Sequence, residues 1–140
     1  MEIALAYSDG DGALDVVVAG ANSTYKGLGA GDGRSSVAVF AADLSGSGFR
    51  VETGDVSGGG LADFVALGQG QPWVGLNAGD GSGDIAFGVP TALVAFAGDL
   101  AVGDIDGDGR DDMALAHYEP DQLSILLSDG AATPQFDVAI

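Results

Sequence analysis

The sequence predicts an all-β protein, and three observations predict it. Apolar runs of four to six Val, Ala, Leu and Ile residues, bounded by Gly or Asp, recur along the 140-residue chain. That is the spacing of short buried strands. No segment sustains ten residues of helical periodicity. Twenty-five glycines suit many tight turns and disfavour helix interiors, where each costs about 1 kcal/mol relative to Ala. The third observation is a loop-then-strand unit written three times.

Residues 6–19 read AYSDGDGALDVVVA, residues 53–67 read TGDVSGGGLADFVAL and residues 102–116 read VGDIDGDGRDDMALA. The last acid of each loop, Asp15, Asp63 and Asp112, recurs at separations of 48 and 49 residues. Each loop leads into a short apolar strand, at residues 16–19, 64–67 and 113–116. A polar or Gly-rich turn follows, then a second strand at residues 36–40, 73–76 and 123–127. A further turn leads to a lone aromatic, Phe49, Phe87 or Phe136. The second repeat adds an apolar stretch at 91–96, ahead of 100–102, and residues 43–48 read as a further, decayed loop. The count is about four strands per repeat. Repeats of this length and strand number match a propeller blade, a small antiparallel sheet packed face to face with its neighbours. The chain reads as one repeat domain, 1–140, with approximate blades at 1–50, 51–100 and 101–140.

The most informative loop is the third. Asp104, Asp106 and Asp108 occupy positions 1, 3 and 5, Asp112 occupies position 9, and the Arg110 carbonyl stands at position 7. Gly107 and Gly109 permit backbone angles that a Cβ resists. Crowded oxygen-only ligands suit Ca²⁺, which accepts about six to eight oxygens in flexible geometry. Four carboxylates so close repel one another, so a cation is expected to order the loop. It is no EF-hand, because position 12 is Leu115 where a bidentate Glu belongs, and the exit is a strand. An acidic Gly/Asp surface turn without metal is the plain alternative.

Composition narrows the partners. Twenty-one acids against four bases exclude phosphate-binding surfaces, so neither nucleic acid nor an anionic membrane surface is expected. No apolar run reaches the length of a membrane span, and the N-terminal Met-Glu-Ile-Ala-Leu-Ala-Tyr shows no signal peptide. With no cysteines, redox compartment is undecided. Acidity and the calcium loop together favour an extracellular or cell-surface setting; the same charge balance suits a salt-rich habitat.

The three loops, with Asp15-Val16-Val17-Val18-Ala19-Gly20-Ala21-Asn22, Asn77-Ala78-Gly79-Asp80-Gly81 and Ser124-Ile125-Leu126-Leu127-Ser128-Asp129-Gly130, resemble the FG-GAP/VCBS repeats of integrin-α-like β-propellers. The match is most specific over 102–116 and covers nearly the whole chain. Asn22 stands where that family usually has Pro. The resemblance implies calcium in the acidic loop, held by the side chains of Asp104, Asp106, Asp108 and Asp112 and the main chain of Arg110. In the first repeat Asp9, Asp11 and Asp15 match positions 3, 5 and 9, but position 1 is Tyr7, which implies a weaker site. The second repeat keeps Asp55 and Asp63 with Ser57 and Gly59 between them, a turn that has lost its metal. Family members usually close with seven blades. Three blades close no ring, so a homo-oligomer, with two chains pairing first, or a longer parent chain is expected; a compact non-propeller β fold is the remaining option.

Catalysis has little to stand on. His117 is the sole histidine, and Glu2, Glu52 and Glu119 lie in no acid–base motif. The segment 29–33 lacks the Lys and following helix of a phosphate loop. Trp73, after Gln69-Gly70-Gln71-Pro72, is a candidate sugar-stacking ring weighed against inter-blade packing, and Tyr7, Tyr25 and Tyr118 carry the same ambiguity. The expected function is non-catalytic: a calcium-binding adhesion or ligand-binding module with a protein or carbohydrate ligand. The alternatives are a self-assembling structural repeat and an accessory part of a larger secreted enzyme.

Overall fold

A computed structural model describes residues 1–20, 24–40, 50–68, 71–79, 81, 85–88, 97–119, 121–129 and 136–139. These residues form twelve strands and no helix. The first sheet comprises β1 (Glu2–Ala6), β2 (Asp15–Ala19), β3 (Thr24–Gly29) and β4 (Ser35–Phe40). The second comprises β5 (Arg50–Gly54), β6 (Asp63–Gly68), β7 (Gln71–Asn77) and β8 (Ile85–Gly88). The third comprises β9 (Ala97–Gly103), β10 (Asp112–His117), β11 (Gln122–Ser128) and β12 (Phe136–Ala139). Within each sheet every strand pairs antiparallel with its neighbour in the chain, so each is a four-stranded meander.

Two expectations need correction in detail. The division at 100/101 falls inside β9, because Leu100 and Ala101 pair with Leu115 and Ala114 of β10; the sheets part between Gly88 and Ala97. The second strand of the first repeat is β3, not 36–40, which is the fourth strand and pairs with it. In β3 the run Thr-Tyr-Lys-Gly-Leu-Gly hides the strand signal behind Lys26, Gly27 and Gly29. The loop sought at 43–48, the stretch 91–96 and the ring of Phe49 lie outside the described residues.

Among the described side chains the second sheet carries apolar residues on both faces, and the sheets pack in chain order. Ala4, Val17 and Ala19 of the first sheet meet Val51, Phe64, Ala66 and Trp73 of the second. The opposite face of the second, Val65, Leu67, Val74 and Leu76, meets Leu100, Met113, Leu115 and Leu126 of the third. Burying a side chain such as Phe64 or Leu126, each 1% exposed, contributes about 1.5–3 kcal/mol. Trp73, weighed as a sugar platform, packs against the first of these cores. Lys26, the chain's sole lysine, is buried in the same place, with Nζ 6.0 Å from the centroid of the Phe64 ring. Its buried position was not legible from sequence.

The first strands of the three sheets, β1, β5 and β9, lie side by side. This gathers the three acidic loops at one end of the stack and the starts of β1, β5 and β9 at the other.

Candidate functional site

Each acidic loop joins the first two strands of its sheet. In all three, loop positions 4 and 6 are glycines with positive φ, which are 84° and 88° at Gly107 and Gly109, a conformation costly for any residue with a Cβ. Those angles fold the chain so that carboxylates meet amides. Asp104 accepts the Gly107 and Gly109 N–H groups at 2.7 and 3.0 Å. Asp106 accepts the Asp108 N–H at 3.0 Å and Asp108 that of Arg110 at 2.9 Å. The first loop repeats this ladder: Asp9 accepts Asp11 N–H at 3.0 Å and Asp11 accepts Ala13 N–H at 2.7 Å.

The four carboxylates expected to act together in the third loop divide into two kinds. Asp104, Asp106 and Asp108 are exposed and offer oxygens all within 4.8 Å of one another. Asp112 is fully buried; one oxygen accepts the Ile105 N–H at 2.9 Å and the other the Ser128 N–H at 2.8 Å. Asp15 does the same with Ser8 and Gly29, both at 2.8 Å, and also accepts the Ser8 hydroxyl. Asp63 accepts Ser57 and Asn77 N–H groups at 2.8 and 2.7 Å. The last acid of every loop therefore clamps the loop to the end of the third strand. Asp9 and Asp11 lie at the loop surface and Asp15 beneath it, and among the described residues only the third loop gathers three carboxylates closely. The Arg110 guanidinium pairs with Asp108, and its stem passes Gly58 of the second loop, where a Cβ would lie 3.1 Å from Arg110 Cδ.

The clamps differ electrostatically. Burial raises the Asp15 carboxyl, but the Ser8 hydroxyl, the Gly29 and Ser8 amides and Lys26 outweigh it and hold the group below its usual 3.8. Burial pushes the Asp63 carboxyl above 3.8; the Asn77 and Ser57 amides and the Ser57 hydroxyl only partly offset it, and Asp55 adds to the rise. Asp15 thus contributes stability that is present above the unfolded value and lost as pH falls through its folded value. Asp63 behaves oppositely: its favourable contribution holds at acid pH and is lost as pH rises through its raised value. Thermal melts from neutral pH to pH values below 3.8 check this. The gap between wild type and Asp15→Asn is expected to narrow on acidification, and that for Asp63→Asn to widen.

At the opposite end of the stack, Tyr118 is 73% exposed and its ring lies against Gly98, in the space a Cβ there would need. Beside it Arg50 of the second sheet pairs with Asp99 of the third at 2.9 Å. Glu2 accepts the Val51 N–H at 2.9 Å. The Glu52 carboxyl is pushed up by burial and then by the neighbouring Glu2 and Asp99. His117 is buried with Nε2 2.8 Å from the Ser124 hydroxyl, and no nucleophile–base–acid set forms around it among the described residues. No helix among those residues is long and apolar enough to cross a membrane.

No family model matches the sequence, and no curated protein does. Among solved structures the chain is similar to a lectin of Agrocybe aegerita, described as specifically recognising non-reducing terminal N-acetylglucosamine. The TM-score is 0.66 at 23% sequence identity, over 97% of this chain and 37% of that one. The protein is thus an all-β molecule of repeated antiparallel sheets, similar in fold to part of that structure. It spans little more than a third of the length of the lectin it resembles.

Proposed function

We propose that the protein is a non-catalytic carbohydrate-binding module built of propeller-type blades whose third acidic loop is ordered by calcium. The observation that carries the carbohydrate reading is the fold likeness to a lectin over 97% of the chain. The sugar platform is the exposed Tyr118 ring, seated against Gly98 and flanked by the Asp99–Arg50 pair. An aromatic face stacks on the apolar face of a sugar ring, and the adjacent charged groups supply strong hydrogen bonds to hydroxyls. Calcium would be held by Asp104, Asp106 and Asp108, whose clustered oxygens fit a hard cation, with Arg110 contributing its carbonyl. Asp112 serves that site from behind, as the clamp that fixes the loop. Asp9 and Asp11 form the weaker version, with Asp15 as its clamp. A filled site supplies cohesion among the three carboxylates. This chemistry, and the FG-GAP/VCBS-like sequence pattern, suit an extracellular or cell-surface module in adhesion.

Retention on an immobilised glycan ending in N-acetylglucosamine is the direct test. Tyr118→Ala and Gly98→Ala, the second displacing the ring, are each expected to weaken binding at least about tenfold, the loss of one stacking contact, while leaving the melting temperature nearly unchanged. Equal retention of both variants would remove the platform from the account.

A second reading, a self-assembling structural repeat, is favoured by one observation. Ile3, Leu5 and Tyr25 on one outer sheet and Leu123 on the other are 60%, 57%, 40% and 55% exposed.

A further inference from the structure

The two internal junctions between sheets are made the same way. At the first, the Ala62 N–H donates to the Tyr7 carbonyl at 3.3 Å and the Asn77 side-chain amide donates to the Ser8 carbonyl. At the second, the Asp111 N–H donates to the Asp55 carbonyl at 3.1 Å and the Ser128 hydroxyl donates to the Val56 carbonyl. In repeat register, position 8 of one loop meets position 1 of the loop before it. The last residue of β7 or β11 reaches position 2. The next interface in this series has Leu14 and Gly29 on one side and Asp104 and Ile105 on the other. Both halves stand at the two ends of the same chain.

Burial tells the same story. Val51 and Leu100 are 2% and 7% exposed, whereas Ile3, at the matching position of the first sheet, is 60% exposed. At loop position 2, Ser8 and Val56 are fully buried and Ile105 is 48% exposed. At both internal junctions the last residue of the third strand reaches the position-2 carbonyl of the preceding loop, Asn77 that of Ser8 and Ser128 that of Val56. In the first sheet Gly29 takes that place, with the Leu14 backbone packed where its Cβ would lie. Gly29 borders an open groove of about 350 Å³, lined by Leu14, Val16, Gly27, Gly31 and Arg34 among others. At the two internal junctions the preceding loop contacts the equivalents of Leu14 and Gly29. On the third sheet, Ala101, Ala114, Ala116 and Leu123 line a shallower hollow.

We propose that the open face of the third sheet of one chain docks on the open face of the first sheet of a second copy, with Ile105 entering the groove beside Gly29. The contact is head-to-tail, so it closes only if the rotation completes a ring. Propellers close with about four to eight four-stranded sheets, and with three sheets per chain the multiple in that range is two copies. The inference stands apart from sugar and calcium binding.

Light scattering and sedimentation of the full chain in about 0.15 M salt, where screening confines the repulsion between acidic chains to roughly 8 Å, test it. The expected mass is twice the 13.8 kDa of one chain. Leu5→Lys on the first sheet and Leu123→Lys on the third each alter an exposed side chain, so each variant is expected to fold, as circular dichroism checks, and to run as a monomer. Ile105→Gly is expected to weaken the dimer at least about tenfold, as for an anchor removed from its pocket. Mixing the two Lys variants distinguishes head-to-tail from self-complementary pairing. The third sheet of Leu5→Lys and the first sheet of Leu123→Lys are both intact, so the mixture regains an open dimer that neither forms alone. A monomeric wild type at high concentration, or a dimer indifferent to both Lys variants, would overturn the proposal; so would failure of the mixture to recover a dimer.

Discussion

Replacing Asp112 with Ala is expected to cost about 2–4 kcal/mol of stability, from the backbone amides it leaves unpaired. The carboxylate is fully buried, and its oxygens receive the Ile105 and Ser128 amides at 2.9 and 2.8 Å. Without it the buried Ser128 amide and the part-buried Ile105 amide are both left unpaired, at about 1–3 kcal/mol for a fully buried group and less for the other. The loss should lower the melting temperature by roughly 10 °C for a chain of this size. Asp112→Asn keeps one acceptor and is expected to fall between. Asp104→Ala is the contrast: that group also accepts two amides, but it is exposed, so water replaces it and the cost stays near 1 kcal/mol. Thermal or urea unfolding of the three variants ranks them. Equal small losses for Asp104→Ala and Asp112→Ala would contradict the clamp.

That division among four aspartates marks the limit of what the sequence reveals. The spacing of Asp104, Asp106 and Asp108 was legible because successive odd positions in a Gly-punctuated loop must share one side. Asp112 looked like a fourth member of the set. Its burial depends on the end of the third strand, sixteen residues further on at Ser128, and loop spacing alone carries no sign of it. The signal that could have found it lies in the second repeat, which lost the acids at positions 3 and 5 yet kept Asp63. A residue retained where the metal shell is gone serves the fold. The three-part repeat and the strands after each loop were legible from apolar runs. β3 was not, since Lys26, Gly27 and Gly29 interrupt the pattern; Lys26 is buried against Phe64, so a charged letter stood at a core position. Likewise the turn 29–33 is a copy of 77–81, with positive-φ glycines at Gly31 and Gly33 matching Gly79 and Gly81. The donors Asn77 and Ser128 read as ordinary turn residues, because their partners belong to the preceding repeat.

Calcium is expected to give the second large effect. At about 100 times its dissociation constant a ligand bound by the folded state alone adds roughly 2.7 kcal/mol. Excess EDTA should therefore lower the melt clearly against millimolar CaCl₂. Asp106→Asn and Asp108→Asn keep an oxygen for the Asp108 and Arg110 amides while removing the charge. Each is expected to abolish most of the calcium response and leave the EDTA melt nearly unchanged. The Arg110 guanidinium already neutralises part of Asp108, so Arg110→Ala should strengthen the calcium response. Identical melts in calcium and EDTA would leave the loop as an Asp/Gly turn held by its own amides.

Carbohydrate binding is the claim on which the function rests, and a glycan array probed with the full chain in millimolar calcium tests it most directly. The account predicts saturable binding to a restricted set of glycans, weakened by Tyr118→Ala. An array without specific binding, from protein shown to be folded in the same buffer, would contradict it.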